Sequence, residues 1–271
     1  MSKYTIHSAV MLVALLSAAS AAGQEQPQII NIPLSMPGEP MTLDISIQSA
    51  RIEVIGEDRE DAEFAFSVEK GSRKIVTPSG TQSITGGGYS LDVDEEDNHI
   101  SVDTDWRANK VSIVARIPRR ADIELSTIDE GEIIVSNIEG SLELENINGP
   151  ITATGIVGSV IAESIDETID ISFASIDGDN AMTLISVNGD ISLGLPASAG
   201  AQLHIDSAEG EIYSDFEVEV QPSKPIIERR DDRGGVEVRV ESVIVANVNG
   251  GGPVIKLKTL YGDINIRNST N

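Results

Sequence analysis

The segment Asp92-Val93-Asp94-Glu95-Glu96-Asp97-Asn98 crowds hard oxygen donors into one short stretch, the ligand chemistry that Ca²⁺ takes. Asp92, Asp94 and Asp97 are the residues that would hold such an ion. The stretch lacks the glycine and the terminal glutamate of a helix-loop-helix calcium loop. A solvated acidic hairpin turn therefore fits it better, and no cofactor is expected. Nucleophilic catalysis has little to draw on. There is no cysteine, and the histidines are His7, His99 and His204. His7 lies in a leader segment, His99 at the start of a strand pattern, and His204 between Leu203 and Ile205, hence on the outer side of its strand. No serine sits in a nucleophile elbow. Acidic pairs of the kind that cleave glycosides are abundant, but a sugar cleft also needs aromatic platforms. Aromatics are 3% of the chain, with Trp106, Tyr89, Tyr213 and Tyr261 among them. No catalytic residue is assigned. The run Arg229-Arg230-Asp231-Asp232-Arg233 reads as a self-neutralised surface loop rather than a docking loop.

Composition narrows the compartment and the partners. Lys3 supplies a positive n-region, Ala9–Leu16 (AVMLVALL) a short apolar core, and Ser20-Ala21-Ala22 a small-residue cleavage site. An exported protein is expected, periplasmic or at the cell surface, with the leader removed after Ala22. No later segment is apolar enough to span a bilayer. The formal net charge is −25 at pH 7, and loss of Lys3 makes it one unit more negative. A polyanion repels nucleic acid and anionic lipid. Without cysteine, burial and hydrogen bonds alone must hold the fold.

The elements that would carry any site read as strands throughout. Leu43, Ile45 and Ile47 alternate with polar residues, as do Ile52 and Val54; Phe64, Phe66 and Val68; Leu91 and Val93; Ile100 and Val102; and Val111 and Ile113. Gly86-Gly87-Gly88 and the acidic segment separate them. From about residue 125 a repeat begins, with Gly131, Gly140, Gly149 and Gly158 each nine apart, Glu167 at the next position, then Gly178 and Gly189. The units align as Ile138-Glu-Gly-Ser-Leu-Glu-Leu144, Ile147-Asn-Gly-Pro-Ile-Thr-Ala153, Ile156-Val-Gly-Ser-Val-Ile-Ala162, Ile165-Asp-Glu-Thr-Ile-Asp-Ile171, Val187-Asn-Gly-Asp-Ile-Ser-Leu193 and Leu260-Tyr-Gly-Asp-Ile-Asn-Ile266. Such units are too short for a crossover helix and suit strands stacked in register about 4.8 Å apart. The first apolar residue of each unit is expected inside. Glycine is expected where backbones pass closely, and Glu143, Thr152 and Asp170 are expected to face water.

These residues resemble the bacterial putative-adhesin family, a domain of unknown function, and more loosely auto-transporter-adhesin heads. The likeness covers roughly residues 40 to 267. It rests on Ile117-Pro118, the serial I-x-G-x-[IV]-x-[AVL] units, Gly189-Asp-Ile-Ser-Leu-Gly-Leu-Pro196, and Gly250-Gly-Gly-Pro-Val-Ile-Lys-Leu-Lys258 with Gly262-Asp-Ile-Asn-Ile266. The resemblance implies a right-handed parallel β-helix in the cell envelope. The expected fold is all-β, a parallel β-helix (solenoid) preceded by an N-terminal antiparallel or mixed β-region. The expected organisation is 1–22 signal peptide, 23–40 lead-in, 41–124 N-terminal β-region, and 125–271 solenoid with an exposed loop at 217–235. The expected function is non-catalytic, an adhesion or scaffold module that binds an envelope or surface component. The alternatives are a polysaccharide-active β-helix enzyme and a structural module that self-associates through solenoid ends.

Overall fold

The computed structural model describes residues 27–68, 91–104, 111–129, 131–176, 182–222, 226–232, 235–241 and 243–269. The leader and the Gly86-Gly87-Gly88 separator lie outside them. Among the described residues every regular element is a strand, and no helix is long and apolar enough to cross a membrane. The alternating N-terminal segments give β1 (Gln28–Pro33), β2 (Met41–Ile47), β3 (Ala50–Glu57), β4 (Asp61–Val68), β5 (Leu91–Glu96), β6 (His99–Thr104) and β7 (Val111–Pro118). The repeat gives β8 (Ala121–Thr127), β9 (Glu132–Ser136), β10 (Glu139–Asn146), β11 (Ile151–Ser164), β12 (Ile169–Ser175), β13 (Met182–Ser186) and β14 (Ile191–Leu195). Then come β15 (Ala201–Glu209), β16 (Ile212–Ser214), β17 (Val218–Gln221), β18 (Ile226–Asp232), β19 (Gly235–Glu241), β20 (Ile244–Val248), β21 (Val254–Tyr261) and β22 (Ile264–Asn268).

Twenty strands form one mixed sheet, and β18 with β19 forms a second. Two parallel ladders make up most of the large sheet. Ladder one runs β6, β2, β8, β10, the second half of β11, β13, β21 and β15. Ladder two runs β7, β3, β9, the first half of β11, β12, β14, β22 and β16. Antiparallel strands finish them: β5 on β6, β4 then β1 on β7, and β20 then β17 on β15. Two strand pairs sit out of chain order. β2 and β3 lie between β6/β7 and β8/β9, and β21 and β22 lie between β13/β14 and β15/β16.

Period-two alternation turns apolar side chains inward from both ladders onto one aliphatic core. Ile52, Ile133, Ile151, Ile169, Ile191 and Ile264 stack rung on rung in it, each fully buried. The mixed sheet comes close to closing into a flattened barrel around them. The rungs approach tightly where the chain turns. A Cβ at Gly149 would stand 1.6 Å from the Gly131 carbonyl oxygen, so only glycine fits there. β11 crosses from ladder two to ladder one without a break because Gly155 and Gly158 take φ of 68° and 131°.

Two expectations are corrected. The first apolar residue of each repeat unit was expected inside. Ile138 and Ile156 are fully buried, but Ile147 and Ile165 are 38% and 43% exposed. The cause is that successive units turn at different corners. Rungs advance by two units, as the register Ile133–Ile151–Ile169 requires, so Ile138 stacks with Ile156 and Ile147 belongs to another column. Where ladder one ends, Leu142, Leu144 and Asn146 point inward, which sends Ile147 outward. The inward place at this corner belongs to polar residues: Thr127, Asn146, Ser164, Ser186 and Thr259 are all buried. They satisfy corner carbonyls; Asn146 Nδ2 donates to Gly131 O at 3.1 Å and Thr259 Oγ1 to Gly189 O at 3.1 Å. Secondly, the expected loop at 217–235 contains β17 and most of the β18–β19 hairpin. Arg229-Arg230-Asp231-Asp232 of the arginine-rich run lie in β18, paired antiparallel with β19.

Candidate binding faces

The two ladders present two broad outer faces, and they differ in chemistry. On ladder two the outward residues are mostly short and polar. One column runs Ile134, Thr152, Asp170, Ser192, Asn265 and Tyr213; its neighbour runs Ser136, Thr154, Ser172, Gly194 and Arg267. Parallel register places successive members about 4.8 Å apart, so hydroxyls and amides repeat at a fixed interval along a flat surface. Its few charges are mutually paired: Arg267 bonds Asp170 at 2.5 Å, and Arg51 bonds Glu53 and Glu132, both at 2.8 Å. The hydrogen bond to Glu53 raises the Arg51 pKa further above its ordinary value.

Ladder one is divided along its length. In one column Asp44, Glu124 and Glu143 stand directly over one another, and in the next Glu145 stands over Glu163. A depression of about 190 Å³, lined in part by Asp122, Glu124, Ser141, Glu143, Ser159 and Ile161, lies in this acidic half. Further along, the same two columns carry Lys256 with His204, and Lys258 with Asp206. Lys258 pairs with Asp206 at 2.7 Å. Lys256 and Glu143 are three rungs apart, beyond ion-pair reach of each other. Beside these columns, at the corner, runs an apolar stripe. Ile128, Ile147, Ile165 and Leu260 are 42%, 38%, 43% and 43% exposed, with Val187 half-buried between Ile165 and Leu260.

The sequence-predicted residues fall elsewhere. Asp92 and Asp94 are exposed on β5, and Asp97 lies in the two-residue turn to β6. Asp97 and Asn98 take φ of 52° and 63°, the conformation of a tight hairpin turn. Among the described residues no three of His, Asp and Glu are gathered into a group that could hold an ion. The acidic segment instead ties down the chain before β2. Glu95 accepts from Ser35 N and Ser35 Oγ, both at 2.9 Å, and the Ser35 amide holds its carboxyl below the ordinary range. The buried Asn98 side chain accepts from Met36 N and donates to Met36 O, both at 2.7 Å. His99 is exposed at its strand start. His204 faces outward on β15, its Nε2 3.1 Å from Gln202 Oε1. Sequence reasoning missed the ladder-one columns, although Lys256-x-Lys258 and Glu143-x-Glu145 each show the spacing of residues on one side of a strand.

No protein-family model matches the chain, and no curated protein matches it either. Among solved structures it is similar to a putative cell adhesion protein from Clostridium sporogenes ATCC 15579, at 11% identity and a TM-score of 0.46. That likeness covers 90% of this chain and 100% of the other. A likeness this loose carries no inference on role.

Proposed function

We propose that the chain is an exported, non-catalytic binding module of the cell envelope, with an adhesion or scaffold role. We further propose that its two ladders are the faces of a parallel β-helix with two strands per turn. The observation that carries the first reading is the outer face of ladder two. Short hydroxyl and amide groups at a regular spacing, with their charges already paired, offer many weak contacts to an extended polymer or surface. The solenoid reading is supported by the eighteen-residue step from Ile133 to Ile151 to Ile169, which two strands and two corners fill. Export rests on the leader pattern of Lys3, the apolar segment and Ser20-Ala21-Ala22.

The test is to fractionate cells making a tagged chain and to measure binding of the purified protein to envelope polysaccharides and intact cells. Export, and binding that falls when Thr152 and Thr154 are both replaced by arginine, would support the proposal. A cytoplasmic product, absence of binding, or turnover on a polysaccharide panel would sink it.

A further inference from the structure

The geometry of ladder one points to a partner: a second, antiparallel copy of this chain. The inference rests on the strand register and stands apart from the binding role given above. Take a two-fold axis parallel to the strands, midway between β11 and β13. Rotation about it keeps strand direction, reverses the order of rungs, and lays each outward column over the same column of the partner. β10 then meets the partner's β21, and β8 meets its β15.

The side chains that meet are complementary. Glu143 faces the partner's Lys256, and Glu145 faces the partner's Lys258. Glu124 faces the partner's His204. At the corner, Ile147 faces the partner's Leu260, and Ile165 the partner's Val187, so the two apolar stripes make one seam. The partner's Lys256 sits over the depression beside Glu143. Glu163 faces the partner's Ile185 and gains no cation.

Each contact occurs twice, because the acidic half of each copy covers the lysine half of the other. A polycation would match only one half of this face; a second copy matches both. The six rungs from β8 to β15 that overlie one another about this axis, about 4.8 Å apart with outward columns across roughly 20 Å, give about 600 Å² per copy, at the lower limit of a standard interface. The formal net charge of −25 opposes association over long range. At 0.15 M salt, charges more than about 8 Å apart are largely screened, which leaves the local pattern to decide.

The experiment is sedimentation of the mature chain across a concentration series at 0.15 M salt, with two charge-reversed variants. One is Glu143→Lys with Glu145→Lys; the other is Lys256→Glu with Lys258→Glu. Wild type is expected to dimerise. Each variant alone should raise the dissociation constant about tenfold or more, because like charges then meet at all four places. An equimolar mixture of the two should dimerise again, since opposite charges meet at all four places. Recovery in the mixture also shows that both variants are folded. The inference is overturned by a wild type that stays monomeric at about 100 µM, where any dissociation constant tighter than that would give dimer, by variants that associate as wild type does, or by a mixture that does not recover. Growth into larger species that ignores the charge reversals would indicate end-to-end association and would equally refute it.

Discussion

Replacing Ile156 and Ile147 by alanine, one at a time, tests the alternation of corners most directly. Both occupy the first place of a repeat unit, and sequence alone treats them alike. Ile156 is fully buried. Its truncation removes three carbons, worth about 2.4 kcal/mol of transfer at about 0.8 kcal/mol each. The void left in a closely packed column raises the cost to about 3–4 kcal/mol. Ile147 is 38% exposed. Scaling the same transfer by its buried fraction gives about 1.5 kcal/mol, with no void because water fills the site. Urea denaturation of the two variants against wild type, read from midpoints at constant slope, measures the difference. Stacked rungs can unfold in steps, so coincident fluorescence and circular dichroism transitions must be checked first. Equal losses, or a larger loss at Ile147, would refute the two-corner arrangement and with it the placement of the apolar stripe on the outside.

Further outcomes follow from other contacts. Gly149→Ala should cost about 3 kcal/mol or more in the same assay, because the new Cβ meets the Gly131 carbonyl at 1.6 Å and backbone must move; a neutral result would mean the rungs are not that close. Asn98→Ala should cost about 2–4 kcal/mol, since it strips the buried hydrogen bonds to Met36 and leaves alanine at φ 63°; Asn98→Gly should recover part of that by easing the turn. The depressed Glu95 pKa means its carboxylate stabilises the fold fully above the ordinary glutamate range and loses that contribution as pH falls through the depressed value. The stability gap between wild type and Glu95→Gln should therefore be steady near neutrality and shrink below about pH 4; a gap that widens on acidification would reverse the sign of the argument. Thr152→Asp should cost no more than about 1 kcal/mol, from repulsion by the neighbouring Asp170, where Ile151→Asp costs several kcal/mol, because only the second buries a charge.

Strand identity and facing were legible in the sequence wherever a clean two-residue alternation met a half-buried ladder. Leu43, Ile45 and Ile47 are all inside, as are Ile100, Val102, Val111 and Ile113. The order of the rungs was not legible. Nothing local in Ile52 or Val54 states that β3 will lie between β7 and β9, because hydrogen-bonded neighbours in parallel ladders are distant in the chain. The two corners share one pattern of apolar residue and glycine, so their opposite facing is decided only by strand phase: Asn146 takes the inner place and Ile147 is turned out. The β18–β19 pairing hid behind a charge-rich sequence that reads as a solvated loop, because only backbone register with a later strand marks it as strand. The ladder-one face was invisible for the same reason as the rung order: Glu143 and Lys256 share a column only after the chain has returned.

That return also dictates a sequence of events. The strands β15 and β16 leave the ribosome before β21 and β22, yet their lateral partners are those later strands. Until residues 254–268 arrive, β15 and β16 have no parallel neighbour, and the end of the stack stays unsealed. The closing step is then an insertion between strands already made rather than an addition at the tip, which ties completion of the fold to late arrival of the chain and leaves earlier intermediates with open edges that holding factors would recognise.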